Sequence, residues 1–110
     1  MYSIAELPEF SRNAAGILSA EEIQALISHL AQNPKAGVLI PGTGGIRKLR
    51  WARAGMGKSG GTRVIYYFHD ERIPLYLLSA FGKGEKTNLS KAEANELAKL
   101  VKFLVKAAGV

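Results

Sequence analysis

At Ile46 the spacing of the apolar residues changes, and that change constrains the fold more than any other feature of the chain. Before it, Phe10, Ala14, Ile17 and Leu18, then Ile23, Leu26, Ile27 and Leu30, recur at the interval of amphipathic helices. Ser19-Ala20-Glu21-Glu22 reads as a capping box that opens the second helix, and Asn33-Pro34 stops it. From Ile46 to Arg53 basic and apolar residues alternate, and Thr62–His69 and Ile73–Phe81 are rich in β-branched and aromatic residues. A tight polar turn, Asp70-Glu71-Arg72, joins the last two runs, so the three form an antiparallel meander. Ser90-Lys91-Ala92-Glu93 is a second capping box, followed by Leu97, Leu100, Val101 and Leu104 on one helical face. Lys99, Lys102 and Lys106 lie towards the end of that helix, where its dipole favours cations. The expected fold is α+β: an antiparallel sheet of three to four strands packed against two N-terminal helices, with a C-terminal helix. Lys35 to Gly45, rich in Gly and Pro, is expected as a surface loop.

A chain of 110 residues has room for one hydrophobic core, so residues 1–110 are expected to form a single domain. There is no cysteine, hence neither a disulfide nor a thiolate-bound zinc, which suits a reducing cytoplasm. The N-terminus lacks the basic start and apolar run of a signal peptide, and no apolar stretch of ~18 residues is available to span a bilayer. A cytoplasmic protein without a membrane partner is the expectation.

The placement of the net charge of +6 says more than its size. Ile23 to His69 contains no Asp or Glu, while Lys35, Arg47, Lys48, Arg50, Arg53, Lys58 and Arg63 all fall within it. Scattered solubilising charges mix both signs, whereas cations without counter-ions attract phosphates, because each neutralised phosphate releases condensed ions.

Within that segment Gly55-Met56-Gly57-Lys58-Ser59-Gly60-Gly61 carries the Gly-Lys-Ser of a nucleotide-binding loop. A phosphate-cradling loop needs G-x-x-x-x-G-K-[ST] leading into a helix. Here Ala52 occupies the first glycine position, and Arg63-Val64-Ile65-Tyr66-Tyr67-Phe68, which follows, is strand. The stretch is therefore expected to be a glycine-rich connection between antiparallel strands, with Lys58 near its tip.

Folding the meander brings Lys58, Arg63, Phe81, Lys83 and Lys86 to one end of the sheet, with Lys48 and Arg50 further along the adjoining strand. Alternation gives Lys48, Arg50, Arg63 and Tyr67 a common face, expected to be open, and leaves Val64, Tyr66 and Phe68 for the helix-covered side. His69 lies by the far turn and His29 off the apolar stripe of its helix, and no carboxylate pair or ligand-spaced set accompanies the cations, so no metal is expected.

Such a cluster suits RNA, whose ribose 2′-OH stands beside the phosphate it can attack. The reaction needs a proton acceptor, cations for the charge spreading over the phosphoryl oxygens, and an acid for the leaving oxygen. Arginine serves the second task through its planar fork. Lysine can act as a base where neighbouring cations lower its pKa. Phe81 offers either a stacking surface for an unpaired base, typically ~1–3 kcal/mol, or core packing.

Arg47-Lys48-Leu49-Arg50, Gly61-Thr62-Arg63-Val64-Ile65-Tyr66-Tyr67 and Phe81-Gly82-Lys83-Gly84-Glu85-Lys86-Thr87-Asn88-Leu89 together resemble the RelE/HigB superfamily of bacterial toxin–antitoxin toxins, in its HigB-like branch. The resemblance runs from Tyr2 to about Lys106. It implies a metal- and cofactor-independent endoribonuclease that enters the 30S A site and cuts mRNA there by 2′-OH attack, arresting translation and growth. It implies catalytic roles for Lys48, as the base, for Arg63, on the transition state, and for Lys83 and Lys86, as phosphate binders or the acid. Arg50, Lys58, Tyr67 and Phe81 complete the set as RNA-binding residues. The chain departs from the RelE branch at Gly84, where that branch has arginine, and near Ser90, where it has tyrosine, which leaves the acid open. The implied partner is a HigA-like helix-turn-helix antitoxin, in a complex that binds operator DNA. The alternative is a basic RNA- or ribosome-binding module without catalysis. A DNA-binding regulator is disfavoured, because no helix carries the basic and amide cluster that enters a major groove.

Overall fold

The computed structural model describes residues 2–51, 61–82 and 88–110. They form β1 (Ile4–Glu6), α1 (Pro8–Ala15), α2 (Ala20–Gln32), β2 (Val38–Leu39), β3 (Ile46–Trp51), β4 (Thr62–Tyr67), β5 (Leu75–Gly82) and α3 (Lys91–Ala108). The strands make one mixed sheet in the order β1-β5-β4-β3-β2, parallel only between β1 and β5. The α+β class and the β3-β4-β5 meander are as expected from the sequence. Both capping boxes are present: Ser19 Oγ accepts from the Glu22 amide and Ser90 Oγ from the Glu93 amide, and each glutamate side chain accepts from the serine N–H in return. α1 starts instead with Pro8 in its first turn, where a missing N–H costs nothing.

Two strands escape a reading based on periodicity. β1 is three residues long and makes its pairing with residues 75–77. β2 is two residues long and falls inside the segment expected as a loop. Its turn into β3 is held by Thr43, buried, whose hydroxyl donates to the Ile40 carbonyl (2.6 Å) and accepts from the Ile46 amide (3.2 Å). Gly44 and Gly45 take φ of 76° and 119° there, values that glycine adopts without strain. This turn fixes where β3 begins, and so which β3 side chains share a face.

Both faces of the sheet are covered. On one, Val64, Tyr66, Leu75, Leu77 and Ala80 pack against Phe10, Ala14, Leu18, Leu26 and Leu30 from the α1–α2 region. On the other, Ile46, Ile65, Tyr67, Leu78 and Phe81 pack against Val101 of α3, with Leu97, Leu100 and Val105 around it. The face expected to be open thus lies largely beneath α3. A bulge in β5 makes this second core possible. Ile65 pairs with Ser79 but Tyr66 with Leu77, so Leu78 is the extra residue and joins Phe81 on the α3 side despite their opposite parity.

The Tyr66 hydroxyl ties the first core to the segment before β2. It accepts from the Gly37 amide (2.7 Å) and donates to the Pro34 carbonyl (2.9 Å). Burial raises the phenol pKa, which keeps the donating proton in place. Gly37 has no room for a side chain, since a Cβ would stand 2.9 Å from the Lys48 carbonyl oxygen and from the Tyr66 ring. Tyr66→Phe orphans a buried amide and a carbonyl, and is expected to lower the unfolding free energy by about 1–3 kcal/mol in urea denaturation, with an unchanged m-value.

Candidate functional site

The cations expected to converge begin from one register. Arg50 of β3 is the direct cross-strand partner of Arg63 of β4, and Arg63 is in turn the partner of Phe81 of β5. Lys48 sits two residues from Arg50 along β3, opposite Ile65. Side chains two apart on a strand, or directly opposite across an antiparallel pair, project from the same face. Lys48, Arg50 and Arg63 therefore form a triangle on the α3 side of the sheet. Directly opposed like charges oppose strand pairing, so the Arg50–Arg63 pair is a local cost that the surrounding sheet carries.

Each cation is differently held. Arg50 is exposed, whereas Lys48 and Arg63 are half-buried. Arg63 donates from a guanidinium nitrogen to the Gly61 carbonyl (2.8 Å), which steers the fork back over the start of β4. The Lys48 ammonium donates to the side-chain amide oxygen (Oδ1) of Asn88, a residue just before α3. Ser90 caps α3. β3 ends at Trp51 and β5 at Gly82, and both pair with Thr62. Lys58, Lys83 and Lys86, also expected at this end of the sheet, lie outside the described residues.

Two aromatic assignments require correction. Tyr67 and Phe81 are only 5% and 2% exposed, both packed in the core beneath α3. Phe81 lies at the right end of the sheet, where it supports Arg63 from its neighbouring strand and presents no free ring face. Tyr67 stands four residues from Arg63, roughly 13 Å along the strand, and its hydroxyl lies 3.0 Å from His69 Nδ1 at the opposite end. Tyr67 alternates onto the face of Arg63 as expected, and Phe81 reaches it as the cross-strand partner of Arg63, but the helix that covers this face leaves only its rim to the cations.

Three further residues are shown by contacts alone. Asn88 positions Lys48 across 40 residues of sequence. Arg47 points to the other side, donating to the carbonyls of Gly37 (2.7 Å) and Lys35 (3.3 Å), so this member of the basic run supports the fold. Asn13 of α1 accepts from Ser79 Oγ (2.9 Å) and orients the bulged part of β5. The only sequence signal for these residues is the side-chain chemistry of amides and guanidinium, which satisfies backbone and polar groups throughout a fold.

The opposite end of the sheet has a different character. A concavity of about 440 Å³ lies among Tyr2, His29, Asn33, Lys35 and Phe68, with Tyr2 and Phe68 edge to face at 5.0 Å. Beside it Arg72 grips both oxygens of Asp70 (2.7–3.1 Å). Arg72 holds the Asp70 carboxyl down to about 2, chiefly through these hydrogen bonds. Neither the cavity nor this pair reaches the cation triangle. Among the described residues no three His, Asp or Glu side chains are grouped so as to hold a metal ion. No described helix is long and apolar enough to cross a membrane.

A depressed folded-state pKa means that the Asp70–Arg72 contact contributes stability above the ordinary Asp range, near 3.9, and loses it as pH falls towards 2. Arg72→Ala is expected to move the Asp70 carboxyl midpoint upward into the ordinary range, measured by carbon-detected NMR titration.

Residues 9–109 match a family model described as the RelE toxin of the RelE / RelB toxin-antitoxin system.

Proposed function

Because this chain belongs to the RelE toxin family, and so is the toxin of a toxin–antitoxin system, we propose that it is a metal-independent endoribonuclease that cleaves mRNA in the ribosomal A site. The observation that carries this reading is the Arg50–Arg63 cross-strand pair with Lys48 beside it. Three cations on one face, two of them directly opposed, suit a phosphate whose negative charge grows during reaction. The RNA supplies the nucleophile. The ribose 2′-OH loses its proton, attacks the adjacent phosphorus, and expels the 5′-oxygen, leaving a 2′,3′-cyclic phosphate and a 5′-OH.

In this scheme Lys48 takes the 2′-OH proton as its neutral amine, the form that the neighbouring cations favour, and Asn88 holds the side chain in place when the site is idle. Arg63 holds the equatorial phosphoryl oxygens through its fork, the geometry that distinguishes arginine from lysine at such a site. Arg50, the exposed member, draws the RNA backbone in. Lys83 and Lys86 serve the leaving oxygen and the neighbouring phosphates, and Lys58 binds the strand. The family brings a cognate antitoxin with it. We assign that partner to the HigA-like helix-turn-helix type, with the complex binding operator DNA, and place the toxin in the bacterial cytoplasm.

Arg63→Ala should keep the fold, since the side chain contributes one hydrogen bond to a carbonyl and sits at a strand end. It is expected to reduce mRNA cleavage in a translating extract at least ~100-fold, the scale on which removing one fixed charge-stabilising donor acts, and to abolish growth arrest. Undiminished cleavage sinks the catalytic assignment. Intact mRNA with wild-type protein bound to ribosomes points to the binding module without catalysis.

A further inference from the structure

α3 carries a second concentration of charge that the cleavage chemistry does not use. At 3.6 residues per turn, Lys91, Lys99, Lys102 and Lys106 fall within roughly 80° of the helix circumference. All four are exposed, and Asn95, also exposed, shares their arc. Outside that arc, Leu97, Leu100, Val101 and Val105 pack against or around the sheet. Glu93 and Glu96 lie outside the lysine arc. Glu96 reaches Lys99 at 3.7 Å, but both side chains are about three-quarters exposed, so the pair is weak and screened. Among the described residues, Lys91, Lys102 and Lys106 make no ion pair.

The stripe is rigid and continuous with the candidate site. α3 is closed at its start by the Ser90–Glu93 capping box and at its end by Gly109 in the left-handed conformation. Lys91 and Asn95 line the groove of about 530 Å³ that also contains Lys48 and Asn88. From there the lysines continue for about 22 Å along the helix axis, at 1.5 Å per residue.

We infer that this stripe is a docking rail for the phosphate backbone of a double-stranded RNA segment, which on the reading proposed above belongs to the ribosome. Its chemistry selects that partner. Four lysines are point charges without the planar forks that read base edges, so the contact is independent of sequence. The arc is convex, and the exposed ring of Phe103 stands about 40° beyond its edge rather than within it; single-strand binders combine a concave basic groove with stacking platforms. An A-form duplex, recognised by shape and backbone, meets a straight line of cations. Docking there places the Lys48 end of the groove at a fixed distance from the ribosomal helix, so the rail orients the cleavage site and does not take part in cleavage.

The test replaces Lys91, Lys99, Lys102 and Lys106 together by Gln, which preserves helix propensity and the exposed polar surface; circular dichroism checks the fold. Binding of wild type and variant to a 20-base-pair RNA duplex of arbitrary sequence is measured across a salt series. The variant is expected to bind at least tenfold more weakly near 0.15 M salt. Its log–log salt slope should be shallower by about three, because each neutralised phosphate contributes about 0.7–0.9. With ribosomes, the concentration giving half-maximal cleavage should rise while the plateau rate is kept. Unchanged duplex affinity and slope overturn the inference. So does a loss confined to a single-stranded 20-mer, or one confined to the antitoxin. The two proposals fail separately: cleavage by Arg63→Ala refutes the catalytic scheme without touching the duplex result, and an indifferent lysine variant refutes the rail while leaving the catalytic scheme standing.

Discussion

The register of β4 is the constraint on which the molecule depends. Val64 and Tyr66 enter the core under α1 and α2, while Ile65 and Tyr67 enter the core under α3. A strand buried on both faces cannot slip by one residue without placing each of these side chains in the wrong cavity. The same register puts Arg63 opposite Arg50 and next to Phe81. Apolar burial thus sets the geometry of the charged cluster. The like-charge pairing it enforces persists because the cost of repacking two cores exceeds the repulsion at a solvated strand end. Features that oppose local stability within a consistent fold are concentrated where function needs them.

Polar contacts then refine what burial fixes. The Tyr66 hydroxyl pins the segment leading to β2, and Thr43 pins the turn leading to β3. Together they determine where β3 starts and therefore which face carries Lys48. Asn88 aims the Lys48 ammonium, and Gly61 aims Arg63. The site is assembled from the start of β4, the middle of β3 and the segment before α3, each held by a different kind of contact.

Much of this was legible in the chain itself because the signals are local. Both capping boxes, the helical stripes and the polar turn at Asp70–Arg72 act over a few residues, and the structure follows them. Strand alternation correctly placed Lys48, Arg50 and Arg63 on one face. What alternation could not reveal is what covers a face. The stripe of α3 shows that the helix buries something, but not which side of the sheet receives it, so the sequence puts Tyr67 on an open face and leaves Phe81 between stacking and core packing. β1 and β2 carry too few residues to establish a period, and they exist because longer neighbours offer them an edge. The β5 bulge defeats parity outright, since Leu78 and Phe81 reach the same core three residues apart. Lys48 and Asn88 were both inside recognisable motifs, yet their contact spans 40 residues and is created by tertiary folding.

The pairing of β1 with β5 has a consequence for synthesis. Ile4 meets Leu75, so roughly seventy residues must be made before the first strand finds its partner. Arg63 likewise waits for Phe81, and Lys48 for Asn88. An incomplete nascent chain therefore lacks both the finished sheet and the aligned cations. A growing polypeptide of this kind closes its sheet and brings these side chains together only near the end of its own translation.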